Sequence, residues 1–226
     1  MGSEVIRTRT PLSTRQIVDG LSGAYLELEG RDIPERLLES LTVLVLIETD
    51  HGRALDNNNS GNVSANPSTY GGYYFRPRWY ALTEASTDRD RELHQLMLDK
   101  KAPEAFRAYM TAQDGFKDYL RHFLADKRRP LLEAFEGGNA AAMVAELQRF
   151  YSPDYNSDHA NTINRLQAEL RAEGYFAPPS SRGTPGPTSG HDVGRALLAI
   201  VAIGSAGAYL FNTARGATPA RKPKPS

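Results

Sequence analysis

The chemistry in this chain begins where an apolar run ends on an acid. Residues 41–47, "LTVLVLI", carry no charge, and Glu48 follows directly. Desolvation by Val45, Leu46 and Ile47, together with the negative end of a helix dipole, would both raise the pKa of a carboxyl group placed there. A carboxylic acid that stays protonated near neutral pH can hand a proton to the leaving oxygen of a glycosidic bond. The plainer alternative is that Glu48 is the first exposed residue after a buried helix and pairs with Arg53. A few residues on comes "NNNSGNVSA" (57–65), a turn dense in side-chain amides. Such amides suit sugar hydroxyls and N-acetyl groups, and the tyrosines and Trp79 of the following "GGYYFRPRWY" could stack on sugar faces. Asn/Gly runs are also ordinary turn formers.

These residues need elements to position them. Residues 13–30 read as a helix, capped by Ser13 or Thr14, with Ile17, Leu21, Tyr25 and Leu28 on one face and Gly30 as the stop. A second helix opens near Pro34 and runs to about Asp50; its apolar-all-round second half predicts a central helix surrounded by the others. Residues 53–86 predict a lobe of loops or short strands. Helical spacing returns with Leu93, Leu96 and Met97, and then with Phe116, Tyr119, Leu120 and Phe123. Leu131, Leu132 and Phe135 mark a short helix stopped by Gly137-Gly138, and Asn139 caps one carrying Met143, Val144 and Leu147. Ile163, Leu166 and Leu170 mark a last helix ending at Gly174.

Composition bounds the rest. In 226 residues, 27 Lys+Arg balance 27 Asp+Glu, so the basic excess of a nucleic-acid-binding domain is missing. Without cysteine there is no disulfide and no thiolate metal site. The five histidines are scattered, none at i, i+4 spacing, and neither a metal nor a cofactor is expected. No secretory signal pattern opens the sequence.

The order of motifs resembles a family. A helix ending in Glu48-Thr49 has Gly52 four residues past the acid. Asn59-Ser60-Gly61-Asn62 follows, then Phe106-Arg107-Ala108-Tyr109, then "GFKDYLRHF", then "ELQRFY" with Tyr151 leading into Ser-Pro-Asp. Over residues 14 to 172 this succession is similar to the glucosaminidase domains of the lysozyme-like superfamily, which includes flagellar, autolysin-type and phage-type peptidoglycan hydrolases. The resemblance implies Glu48 as catalytic acid and Tyr151 as the tyrosine facing it. It implies Asn59, Gly61 and Asn62 in a cleft-lining turn, and Tyr109 as a cleft-floor or packing residue. The sequence departs from the family at Ser60, where a bulky apolar residue is usual, and at Asp50, where Gly is frequent. Asp56, Glu84 and Asp88 are the acids on or beside the lobe, and nothing in their spacing selects one as a second carboxylate; the substrate's N-acetyl group is the alternative.

Residues 177–192 form a Pro/Gly/Ser-rich linker. Residues 196–211, "ALLAIVAIGSAGAYLF", are free of charge, with Arg195 before them and Arg215, Arg221, Lys222 and Lys224 after. As a helix these roughly 16 residues span about 24 Å, slightly short of a roughly 30 Å hydrocarbon core, a gap that snorkelling flanks cover. The expected organisation is an arm (1–12), a mostly α lysozyme-like domain with a small irregular or β lobe (13–176), a linker (177–192), one transmembrane helix (193–212) and a basic tail (213–226). The expected function is hydrolysis of peptidoglycan β-1,4 bonds by a membrane-anchored domain facing the cell wall, in a bacterial envelope or a phage particle. Lytic transglycosylase and non-catalytic glycan-binding scaffold are the alternatives.

Overall fold

The computed structural model describes residues 2–77, 80, 82, 86–99, 103–152 and 154–177. They form a mostly helical fold with one small sheet. The expected linker beyond Ala177, the transmembrane segment and the basic tail lie outside the described residues, as do Trp79 and Glu84. Among the described residues no helix is long and apolar enough to cross a membrane.

Helix α1 (Thr14–Glu29) starts at a capping box between Ser13 and Gln16 and stops where Gly30 turns left-handed at φ 67°. Helix α2 (Glu35–Glu48) follows. Leu37, Leu41, Val43, Leu44 and Val45 on it are fully buried, because α1, α5 (Arg129–Gly137) and α7 (Ser157–Ala172) pack around it. The apolar-all-round run thus makes a central helix, as its pattern predicts. Helix α4 (Ala112–Phe123), capped by Thr111, packs on α1, and α6 (Ala140–Phe150), capped by Asn139, lies between α5 and α7. A bidentate ion pair joins α2 to α7: Glu39, 3% exposed, meets Arg171 at 2.6 and 2.7 Å.

The lobe is a four-stranded sheet of very short strands: β1 (Ser3–Glu4), β2 (Ser64–Ala65), β3 (Tyr73–Phe75) and β4 (Ala105–Arg107). Their order is β1-β3-β4-β2, with β1 parallel to β3 and the other pairs antiparallel. Helix α3 (Asp88–Asp99) is inserted between β3 and β4. The residues expected as an N-terminal arm are laced onto this lobe. Beyond β1, Asn57 exchanges backbone and side-chain bonds with Ile6 and Thr8, Thr10 N donates to Leu55 O at 2.9 Å, and Leu12 N to Gly52 O at 3.1 Å.

Candidate active site at the end of α2

Helix α2 ends abruptly after Glu48. Thr49 folds its hydroxyl back onto Val45 O at 2.6 Å and accepts from Gly52 N at 3.0 Å. Asp50, His51 and Gly52 then adopt φ of 47°, 57° and 79°, a left-handed run that reverses the chain. Glu48 is thereby fixed at the carboxyl end of the central helix, half-buried, where helical core meets lobe.

The asparagine turn is brought to it by close packing on α4. A Cβ on Gly61 would stand 2.0 Å from the Tyr119 ring, and one on Gly115 of α4 would stand 1.9 Å from Asn58 O. Only glycine permits either approach. Asn57, Asn58 and Asn62 occupy left-handed backbone conformations, which asparagine tolerates better than most residues. Much of the asparagine density therefore serves the turn itself. Asn59 is 2% exposed, its amide donating to Val63 O and Arg107 O and accepting from Val63 N. Its side chain is turned into the protein and does not line the site.

Asn62 does reach the acid. Its amide donates to Glu48 O at 3.2 Å, satisfying a carbonyl of the helix end, and approaches Glu48 Oε2 at 3.4 Å. The shorter contact comes from elsewhere: Tyr155 Oη donates to Glu48 Oε1 at 2.5 Å. Tyr155 is buried in the turn between α6 and α7. Its N–H donates to Ser152 O, its carbonyl accepts from Gln148, and its ring lies 4.9 Å from that of His159. Burial pushes the Glu48 carboxyl up to about 7, while the Tyr155 and Asn62 donors pull it down by less. Arg53, the sequence's candidate partner for Glu48, pairs with Asp50 at 2.9 Å instead.

Tyr151 sits four residues before Tyr155. It is buried, with its ring 5.8 Å from Phe123 and the Arg128 guanidinium 5.5 Å from its centroid. Burial raises its phenol well above the ordinary value; the Arg128 charge opposes this and the Glu48 charge adds to it by less. Tyr119 is raised likewise, by burial first and then by Tyr151 and Glu48. Three protonated phenols are therefore buried in this part of the core, and the Tyr155 hydroxyl bonds the carboxyl group. Tyr109 stands in a separate cluster, its hydroxyl 2.5 Å from Asp118 Oδ2, with Arg107 Nη1 2.8 Å from the same oxygen.

No known protein family, curated protein or solved structure matches the chain.

The structure thus brings together Glu48, Asn62 and, through the turn, Gly61; it adds Tyr155 and Tyr119, which the sequence did not single out. The "YSPDYNS" segment holds two tyrosines at nearly equivalent places, and only the path of the turn decides which hydroxyl meets the acid. Of the acids considered as a second carboxylate, Asp56 is clamped by Arg7 at 2.7 Å and Arg9 at 3.3 Å, and Asp88 is fully exposed at the start of α3. Neither acts on Glu48. Among the described residues no group of three His, Asp or Glu side chains could hold a metal ion.

Proposed function

We propose that the chain is a glycosidase of the lysozyme-like kind that cleaves β-1,4 bonds in peptidoglycan, with Glu48 as general acid. One observation carries the reading: a half-buried carboxyl group at the core–lobe junction, held by Tyr155 and Asn62, is pushed up to about 7, so about half of it still carries a proton at pH 7. Its two oxygens are unequal. Oε1 accepts the short bond from Tyr155, whereas Oε2 has only the long contact with Asn62 and is the oxygen suited to carry and donate the proton. In the proposed step the Oε2 proton passes to the glycosidic oxygen as the C1–O bond breaks, and the bonding pair leaves with that oxygen. The carboxylate produced is stabilised by Tyr155 and Asn62 and can take a proton from the water that attacks C1. The order of sequence motifs supports the same reading. The apolar segment 196–211 is proposed to anchor the chain in a membrane, with the domain facing the wall of a bacterial envelope or carried in a phage particle.

The test is incubation of purified peptidoglycan with the full-length protein in mild detergent and mass spectrometry of the released fragments. Reducing sugar ends support hydrolysis; anhydro ends would make the enzyme a lytic transglycosylase using the same acid. If wild type releases no more fragments than Glu48→Gln, the glycosidase reading is wrong.

A further inference from the structure

Next to the Glu48 site lies a second polar cluster. Asp118 Oδ2 on α4 accepts from Tyr109 Oη at 2.5 Å and from Arg107 Nη1 at 2.8 Å, and His122 Nε2 is 3.8 Å away. Arg107 Nε donates to Ser64 O at 3.2 Å, and its guanidinium lies 4.8 Å from the centre of the Tyr70 ring. Arg107 and Asp118 are 24% and 18% exposed, so the pair is largely desolvated yet open on one side. Burial holds His122 down to about 4, so it is neutral at pH 7 and Arg107 carries the cluster's positive charge.

The chain connects the two sites. Asn62 reaches Glu48, and Ser64, two residues later, takes the bond from Arg107. On the core side, Asp118 is the neighbour in sequence of Tyr119, whose ring backs Gly61. We propose that the Arg107–Asp118 pair, flanked by Tyr70 and Tyr109, is a glycan subsite beside the one at which Glu48 acts. It would recognise uncharged hydroxyl or acetamido groups. An internally neutralised acid–base pair repels no neutral ligand, and it offers both a donor edge on Arg107 and an acceptor in Asp118 Oδ1, an oxygen outside the bonds to Arg107 and Tyr109.

This proposal rests on the glycosidase reading, and its test separates the two. Binding of N-acetylglucosamine oligomers to the full chain in detergent is measured by calorimetry in the Glu48→Gln background, with and without Arg107→Gln. Cleavage is measured in the otherwise wild-type chain. The subsite predicts that Arg107→Gln weakens a tetramer about tenfold or more, since a polar partner is lost from a desolvated site, while a dimer is little affected. In cleavage it predicts a higher KM with kcat largely kept. Arg107→Lys, which keeps the charge but not the planar fork, recovers part of the loss. Circular dichroism melts confirm that each variant is folded. Equal weakening of dimer and tetramer, or none of either, overturns the subsite while leaving Glu48's role intact. Absence of any cleavage by wild type overturns the glycosidase reading and the subsite with it.

Discussion

Tyr155 and Glu48 are 107 residues apart in the chain, and the phenol oxygen lies 2.5 Å from the carboxyl oxygen. This contact closes the site across the helical core, from the end of α2 to the turn between α6 and α7. Because the phenol donates, it favours the charged form of Glu48 and opposes the effect of burial. Tyr155→Phe should therefore raise the Glu48 pKa above about 7 and move the alkaline limb of the activity profile upward, with lower kcat because the nascent carboxylate loses its donor. Tyr151→Phe should leave the limb in place. Carbon-13 NMR titration of the Glu48 carboxyl reads the shift directly, and an unshifted Tyr155→Phe titration would contradict the contact's role.

Glu48→Gln keeps the shape of the side chain and removes the proton donor. Peptidoglycan cleavage should fall by about 10²–10⁴-fold or more, the usual range for general acid catalysis. In wild type, activity should decline as pH rises through about 7, because only the protonated form works. A profile flat to pH 9 would remove Glu48 from the chemistry.

The same carboxyl has a stability signature that does not depend on any substrate. Its folded value of about 7 stands above the roughly 4.3 of an unfolded glutamate. Between those values the native state holds a proton that the unfolded chain releases, so its contribution is full below about pH 4 and is lost as pH climbs to about 7. Discounted for partial exposure, the loss should be about 2–3 kcal/mol. Relative to wild type, Glu48→Gln should thus gain stability between pH 4 and pH 8, as measured by urea denaturation at both. An identical difference at the two pH values would mean that Glu48 is not perturbed.

Gly61→Ala should disable the site without touching it. The added Cβ would meet the Tyr119 ring at 2.0 Å, and the turn must move away, carrying Asn62 off Glu48. A stability loss of about 1–3 kcal/mol is expected from the overlap, with a larger fractional loss of activity than of folded protein at 25 °C. Thermal melts run beside the cleavage assay check it.

Arg171→Ala should be the most destabilising of these changes. It leaves Glu39 buried and uncompensated between α2 and α7, at a cost of about 3–5 kcal/mol. Replacing both residues together with Leu and Met should cost much less. Denaturant midpoints of the single and double variants decide the matter.

The helical part was legible because its signals are local. Ser13 and Asn139 cap where their side chains suggest, Gly30 and Gly138 terminate left-handed, and the uniform apolarity of residues 41–47 marks the central helix. The sheet was much less legible. Strands of two or three residues are too short to show alternation, and β1 and β4 are defined only by partners far away in sequence. In the site, Glu48 announced itself through the apolar residues beside it, whereas Tyr155 could not, since nothing near it in sequence marks its partner. The asparagine run was ambiguous for a physical reason: the amide that suits a sugar also suits a left-handed turn, and Asn59 turned out to be spent on backbone groups.

The lacing of residues 3–12 along the lobe has a kinetic consequence. Thr8 and Asn57 are 49 residues apart, and β1 must find β3 some 70 residues downstream, whereas α5, α6 and α7 meet their sequence neighbours. Residues 3–12 are largely exposed, while α2 is buried among α1, α5 and α7, so the lacing should open before the helical core does. Amide exchange would show this as a protected α2 beside fast-exchanging Val5, Thr10 and Asn57. Asn62 rides on that same early-opening unit, so each transient release of the lacing would withdraw one of the two donors from Glu48 and interrupt the site while the globule stays folded.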